Sequence, residues 1–198
     1  MNALHKLLLI GTLCGAVPVF ATVISIQPST KTVGPGQSFT LDVSIASVSD
    51  LYGYQFDVGF DPTVLAANSV SEGAFLPGAG ATIFFPGTID NVGGTISFNA
   101  GSLTGAVSGA IGSGTLATLS FTSLGSGSSS VGLFNVSAFD SFGEGIALTT
   151  SGGTVRISGV PEPSSAVLLA IGFLCLGAII SSRFMGISSA ARIVRRHN

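Results

Sequence analysis

Alternation with a period of two dominates the middle of the chain. In the stretch GQSFTLDVSIASV, Phe39, Leu41, Val43 and Ile45 are apolar, and Thr40, Asp42 and Ser44 stand between them. In LYGYQFDVGFDP, Tyr52, Tyr54, Phe56, Val58 and Phe60 alternate with Gly53, Gln55, Asp57 and Gly59. Successive side chains of a strand point to opposite faces, so both runs predict strands buried on one side. Weaker runs at ATIFF, GTISFNA, GTLATLSFTSL, SVGLFNVSAF and GGTVRIS predict further strands, punctuated by GPG, PGAGA, NVGG and GSGSSS. No long segment of helical spacing interrupts them. The expected fold class is all-β, with seven to nine strands forming two sheets over one core between residues 22 and 158.

The two ends break the pattern. MNALHKLLLIGTLCGAVPVFAT has a basic start at Lys6 and an apolar stretch from Leu7 to Phe20, which predicts a signal peptide over residues 1–21 cut between Ala21 and Thr22. At the other end VPEPSS is followed by an uncharged run, so a single transmembrane helix is predicted over 164–182, about 28 Å long against a hydrocarbon core of ~30 Å. Arg183 and the basic tail 183–198 then place the C-terminus in the cytoplasm and the central domain on the far side of the membrane.

Charge and composition narrow the chemistry. Between residues 22 and 158 the only bases are Lys31 and Arg156, against the eight acids Asp42, Asp50, Asp57, Asp61, Glu72, Asp90, Asp140 and Glu144, a net of −6. No basic surface exists there for nucleic acid. Both cysteines, Cys14 and Cys175, and both histidines, His5 and His197, also lie outside this region. That removes disulfides, His- or Cys-ligated metals and histidine-dependent nucleophiles from the central domain.

Carboxylates remain. Asp57, Asp61, Asp140 and Glu144 are the candidate calcium ligands, although an Asp before Pro, as in Asp61-Pro62, also suits a turn cap. The eight acids are scattered and define no general acid/base pair. No other cofactor is implied, and no enzyme is expected. Tyr52 and Tyr54 run in phase with Phe56 and read as core or sheet-face aromatics. A chain without Trp is also poorly equipped with planar sugar platforms.

YGYQFDVGFDPTVLAANSVSEGAFL, with its aromatic-Asp-Pro step followed by Leu and a turn, resembles the corresponding stretch of cohesin domains. GTISFNAGSLTGAVSGAIGSGTLATLSFTS and the segment from FNVSAFDSFGEGI to TVRI resemble the later strands of the same family. The likeness spans about residues 23 to 157. It implies a jelly-roll β-sandwich and a non-catalytic domain that contacts a dockerin-like protein. A carbohydrate-binding module for exopolysaccharide is the alternative.

The C-terminal segment 159–198, with its motif at 160–165, resembles the PEP-CTERM sorting tag of Gram-negative bacteria that make exopolysaccharide. Val160, Pro161, Glu162 and Pro163 match the motif, and Arg183 matches the arginine beyond the helix. The two prolines keep this stretch extended, leaving Glu162 accessible. The resemblance implies an exosortase as processing partner, a membrane-anchored precursor, and a final place at the cell surface or in the extracellular matrix. After Arg183 the tail FMGISSAARIVRRHN is longer than the family's usual few basic residues.

Overall fold

The computed structural model describes residues 21–158, together with Leu169, Ile171, Phe173 and Leu174, which are helical and exposed. The expected signal peptide apart from Ala21, the Pro-Glu-Pro motif and most of the expected membrane helix lie outside the described residues. Among the described residues no helix is long and apolar enough to cross a membrane.

The domain is all-β. Its strands are β1 (Thr22–Gln27), β2 (Thr30–Val33), β3 (Ser38–Leu51), β4 (Gly53–Gly59), β5 (Leu65–Glu72), β6 (Thr82–Phe85), β7 (Thr88–Asp90), β8 (Thr95–Leu103), β9 (Ala110–Ser123), β10 (Gly127–Phe139), β11 (Leu148–Ser151) and β12 (Gly153–Ile157). They form two sheets, ordered β11-β1-β3-β9-β5 and β2-β12-β10-β4-β8-β6, with β7 also paired to β8. Twelve strands replace the expected seven to nine. Most of the extra ones are the short elements β2, β7 and β11 at the sheet margins, whose three or four residues cannot display an alternating pattern.

The long strands bury the residues their alternation marks. Phe39, Leu41, Val43 and Ile45 of β3 face Tyr54, Phe56 and Val58 of β4 across the core, with Leu119 and Phe121 of β9 beside β3. Phe121 is its aromatic centre: its ring stacks on Phe39 with centroids 5.9 Å apart and meets the edge of Phe60 at 5.3 Å. Tyr54 ties the two sheets together, its hydroxyl donating to the Leu116 carbonyl at 2.7 Å. Burial, with a smaller contribution from the charge of Glu72, pushes this phenol well above its usual range, so it stays a neutral donor.

One sheet edge is closed by a side chain. The Asn91 amide accepts from the Ala67 N–H (2.8 Å) and donates to the Ala67 carbonyl (3.0 Å), imitating a neighbouring strand on β5. Asn91→Ala is expected to lower stability by about 1–2 kcal/mol through the two lost bonds. It also reopens a strand edge to other chains, so light scattering at high concentration should register more association than in the wild type.

The strands also set two ends. Tyr52, Phe139, Asp50 and Gly105 gather at one, where the Tyr52 N–H donates to the Phe139 carbonyl and its hydroxyl reaches Gly105. At the other, Ser158 donates to the Val33 carbonyl and Ile157 pairs with Gly127.

Candidate functional site

The outward faces of the two sheets differ in chemistry. In the middle of the five-stranded sheet, where β3, β9 and β5 lie side by side, the outward side chains are mostly small and polar and bond to one another: Thr118 donates to Asp42 (2.7 Å), Ser38 bonds Thr122 (3.0 Å) and Asn68 donates to Thr122 (3.0 Å). Such a face satisfies itself. The six-strand path β2-β12-β10-β4-β8-β6 instead leaves aromatic rings outside.

Cross-strand register explains how these rings are arranged. Phe139, Gly53, Ser102 and Ile83 form one row across β10, β4, β8 and β6, and Ser137, Gln55, Ala100 and Phe85 form the next. Large apolar side chains stand on the outer strands, with Gly, Ala, Ser and Gln between them. The result is a groove of about 530 Å³, floored by Gly53, Gln55, Ala100 and Ser102 and walled by Ile83 and Phe85 on one side and Phe139 and Phe142 on the other. Phe85 is 54% exposed and Phe142 86% exposed. Large side chains left in water together in this way mark a surface that another molecule covers.

The wall carrying Phe142 is a loop built by carboxylates. Asp140 Oδ1 accepts from the N–H groups of Phe142 (2.9 Å) and Glu144 (2.8 Å), while the Asp140 N–H donates to the Glu144 carbonyl. Gly143, at φ 82°, makes the reversal. Asp50 anchors this loop from β3: its Oδ2 accepts from Ser141 Oγ (2.7 Å) and its Oδ1 from the Gly109 N–H (2.7 Å).

The Ser141 hydroxyl is the largest influence holding the Asp50 carboxyl below its ordinary range; partial burial opposes it, and the Gly109 and Ser141 amides add to it. A depressed carboxyl contributes stability that is present above the unfolded value and lost as pH falls through the folded one. Acidification below about pH 4 is therefore expected to loosen the 140–144 loop. The protection of the Ser141 amide, taken relative to the intrinsic exchange rate at each pH, should fall over that window in the wild type and respond less to pH in Asp50→Asn.

The four carboxylates proposed from the sequence as calcium ligands have these places. Asp140 and Glu144 share the groove loop. Asp61 Oδ1 accepts from the Thr63 N–H (2.9 Å) and Thr63 Oγ1 (2.6 Å), closing the turn after β4. Asp57 is buried on β4 and receives the Phe98 N–H at 2.6 Å and Asn135 Nδ2 at 2.8 Å. Among the described residues no group of three acidic, histidine or cysteine side chains converges as a metal-ligand set.

Sequence reasoning missed the groove. Its walls come from Phe85, Phe139 and Phe142, none of which alternation singles out. The one available signal was Ile83-Phe84-Phe85: three consecutive apolar residues on a strand make both of its faces apolar.

The sandwich carrying this groove matches the family model of the cohesin domain over residues 24–157. The chain belongs to the cohesin family. Cohesins are a family of non-catalytic binding domains. Solved structures agree in fold. A non-cellulosomal cohesin from Archaeoglobus fulgidus superposes with a TM-score of 0.57 at 18% identity, covering 74% of this chain and 96% of that one. The sixth cohesin of scaffoldin B from Acetivibrio cellulolyticus, solved in complex with a dockerin, gives 0.56 at 20% identity, covering 70% of this chain and all of the other. The cohesin of a type I cohesin–dockerin complex from Clostridium thermocellum gives 0.58 at 13% identity, covering 70% and 100%. None of the curated proteins matches the chain.

Proposed function

We propose that this cohesin domain is an adhesive module that binds a dockerin-like protein through the groove on β10, β4, β8 and β6. The observation that carries this reading is the pairing of aromatic walls with a floor of small side chains. From β10 to β6 is three interstrand steps, about 14 Å at ~4.8 Å each, and an α-helix with its side chains is about 10–12 Å across. A partner helix laid along β4 and β8 would place apolar side chains between Phe139 and Phe85. Asp140 and Glu144 at the rim suit basic residues flanking that apolar stripe.

We further propose that the domain reaches its place of work by export, with residues 1–21 removed, and that an exosortase processes the chain at Val160–Pro163. Intact-mass measurement on protein from the native host tests this: a species running from Thr22 to within or just beyond residues 160–165 is expected. A species extending to Asn198 would make the chain a single-pass anchored cohesin.

Binding is tested by capture from the host's envelope extract with the tagged full chain and with Ile83→Asp and Phe139→Ala variants. A protein retained by the wild type and lost from both variants is expected. Equal capture by all three would remove the groove from the reading. Gln55 and Ser102, polar groups between exposed rings, favour exopolysaccharide as a second reading. Retention on the host's polysaccharide, lost in the same variants, would select it.

A further inference from the structure

Asp57 belongs to the outward-facing set of β4, yet it is only 8% exposed. The reason lies in the two neighbouring strands. On β8 the register slips between the pairs Phe56–Asn99 and Val58–Ile96, so Ser97 and Phe98 together oppose Asp57. On β10 it slips between Asp57–Phe134 and Gln55–Ser137, so Asn135 and Val136 together oppose Phe56. Each neighbour carries one extra residue, a β-bulge, and the two bulges face successive residues of β4.

Both bulges need an unusual backbone. Phe98 has φ 61° and Asn135 has φ 48°, the left-handed region that a bulky residue such as Phe rarely enters. Two side chains bond to the chain at these bulges. Asn99, fully buried, donates through Nδ2 to the carbonyls of Phe56 and Ile96, both at 3.3 Å. Asp57 takes the donors, with Oδ1 on the Phe98 N–H and Oδ2 on Asn135 Nδ2. One carboxylate thus spans three strands and meets both left-handed residues.

The bulges set the far end of the aromatic face. Phe98, on β8, is 56% exposed and its ring lies 6.4 Å from that of Phe85, a wall of the groove. Phe134, paired with Asp57, is the exposed residue next to Asn135 on β10.

We propose that Asp57 is a positioning residue for the binding face, a single latch that fixes the bulges of β8 and β10 together and so sets the directions of Phe98 and Phe134. Its importance for binding rests on the reading of this face as the docking surface. The latch itself does not.

The test is fluorine NMR on the full chain carrying fluorinated phenylalanine, with resonances assigned by single Phe→Leu variants, together with amide exchange at Phe98. In Asp57→Ala the Phe98 amide is expected to exchange at least 100-fold faster. The Phe98 and Phe134 resonances should both move towards the free amino acid, while Phe39, Phe56 and Phe121 hold their positions. Asp57→Asn, which can still accept from Phe98 and pair amide to amide with Asn135, is expected to restore both resonances. Asn135→Ala, the milder variant if Asp57→Ala does not fold, should move Phe134 and leave the Phe98 amide protected.

Unchanged Phe98 and Phe134 resonances in Asp57→Ala would overturn the latch. So would a uniform change of every phenylalanine in Asn135→Ala. If Ile83→Asp and Phe139→Ala leave capture intact while the fluorine results come out as expected, the docking reading fails and the latch stands.

Discussion

Phe121→Ala is expected to destabilise the domain by about 3–5 kcal/mol and to lower its thermal midpoint by roughly 10–15 °C. The ring is fully buried and touches two others, Phe39 and Phe60, so its removal takes away transfer energy and leaves a cavity that these rigid neighbours fill poorly. Phe39 comes from β3 and Phe60 from just beyond β4, and the loss therefore falls on the contact between the two sheets. Differential scanning calorimetry on the wild type and the variant measures it. A drop of less than about 1 kcal/mol would mean that the sandwich is not organised around this ring.

The second large effect concerns the groove. Ala100→Arg should abolish partner binding, by roughly 30- to 1000-fold in Kd, with stability changed by no more than about 0.5 kcal/mol. Ala100 points outward from β8 between Gln55 and Phe85, so the guanidinium extends into solvent, not core, and occupies the floor on which a helix would rest. Titration calorimetry with the captured partner, beside a melting curve of the variant, separates the two quantities. Unchanged affinity would place the partner elsewhere on the molecule.

Much of the fold was legible because its central strands each bury one face. Phe39, Leu41, Val43 and Ile45 obey the alternation as written, and so do Tyr54, Phe56, Val58 and Phe60. Strand β5 was not legible: in LAANSVSE the buried positions are Leu65 and Ala67, and a bulge between Ala67 and Ser69 breaks the period. The strand pattern alone predicts two sheets over one core; the family resemblance narrows this to a cohesin-type sandwich, and the family model bears that out over residues 24–157.

The groove was hidden for a different reason. Hydrophobicity in a sequence reports that a residue prefers burial, not whether the domain buries it. Phe56 and Phe85 look alike on the page, and only strand order reveals that one is enclosed and the other stands on an edge strand in water. Asp57 misled in the opposite way. Its place in the alternation puts it on the open face of β4, where the sequence offers it as a calcium ligand, whereas the bulges on either side enclose it, and a bulge requires register between strands distant in sequence. Neighbouring residues carry no trace of that.

The opposed ends of the sandwich have a mechanical consequence. The Phe139 end of β10 holds the groove, and Gly127, at the other end of that strand, lies beside Ile157, where the described sandwich finishes. Twelve residue steps separate them, roughly 40 Å at ~3.3 Å per step. Tension between a partner seated in the groove and whatever holds the chain beyond Ser158 would run nearly along the strands. Hydrogen bonds between strands loaded in that direction share the force in shear instead of opening one after another, so such a link should resist pulling better than one gripped at a single end.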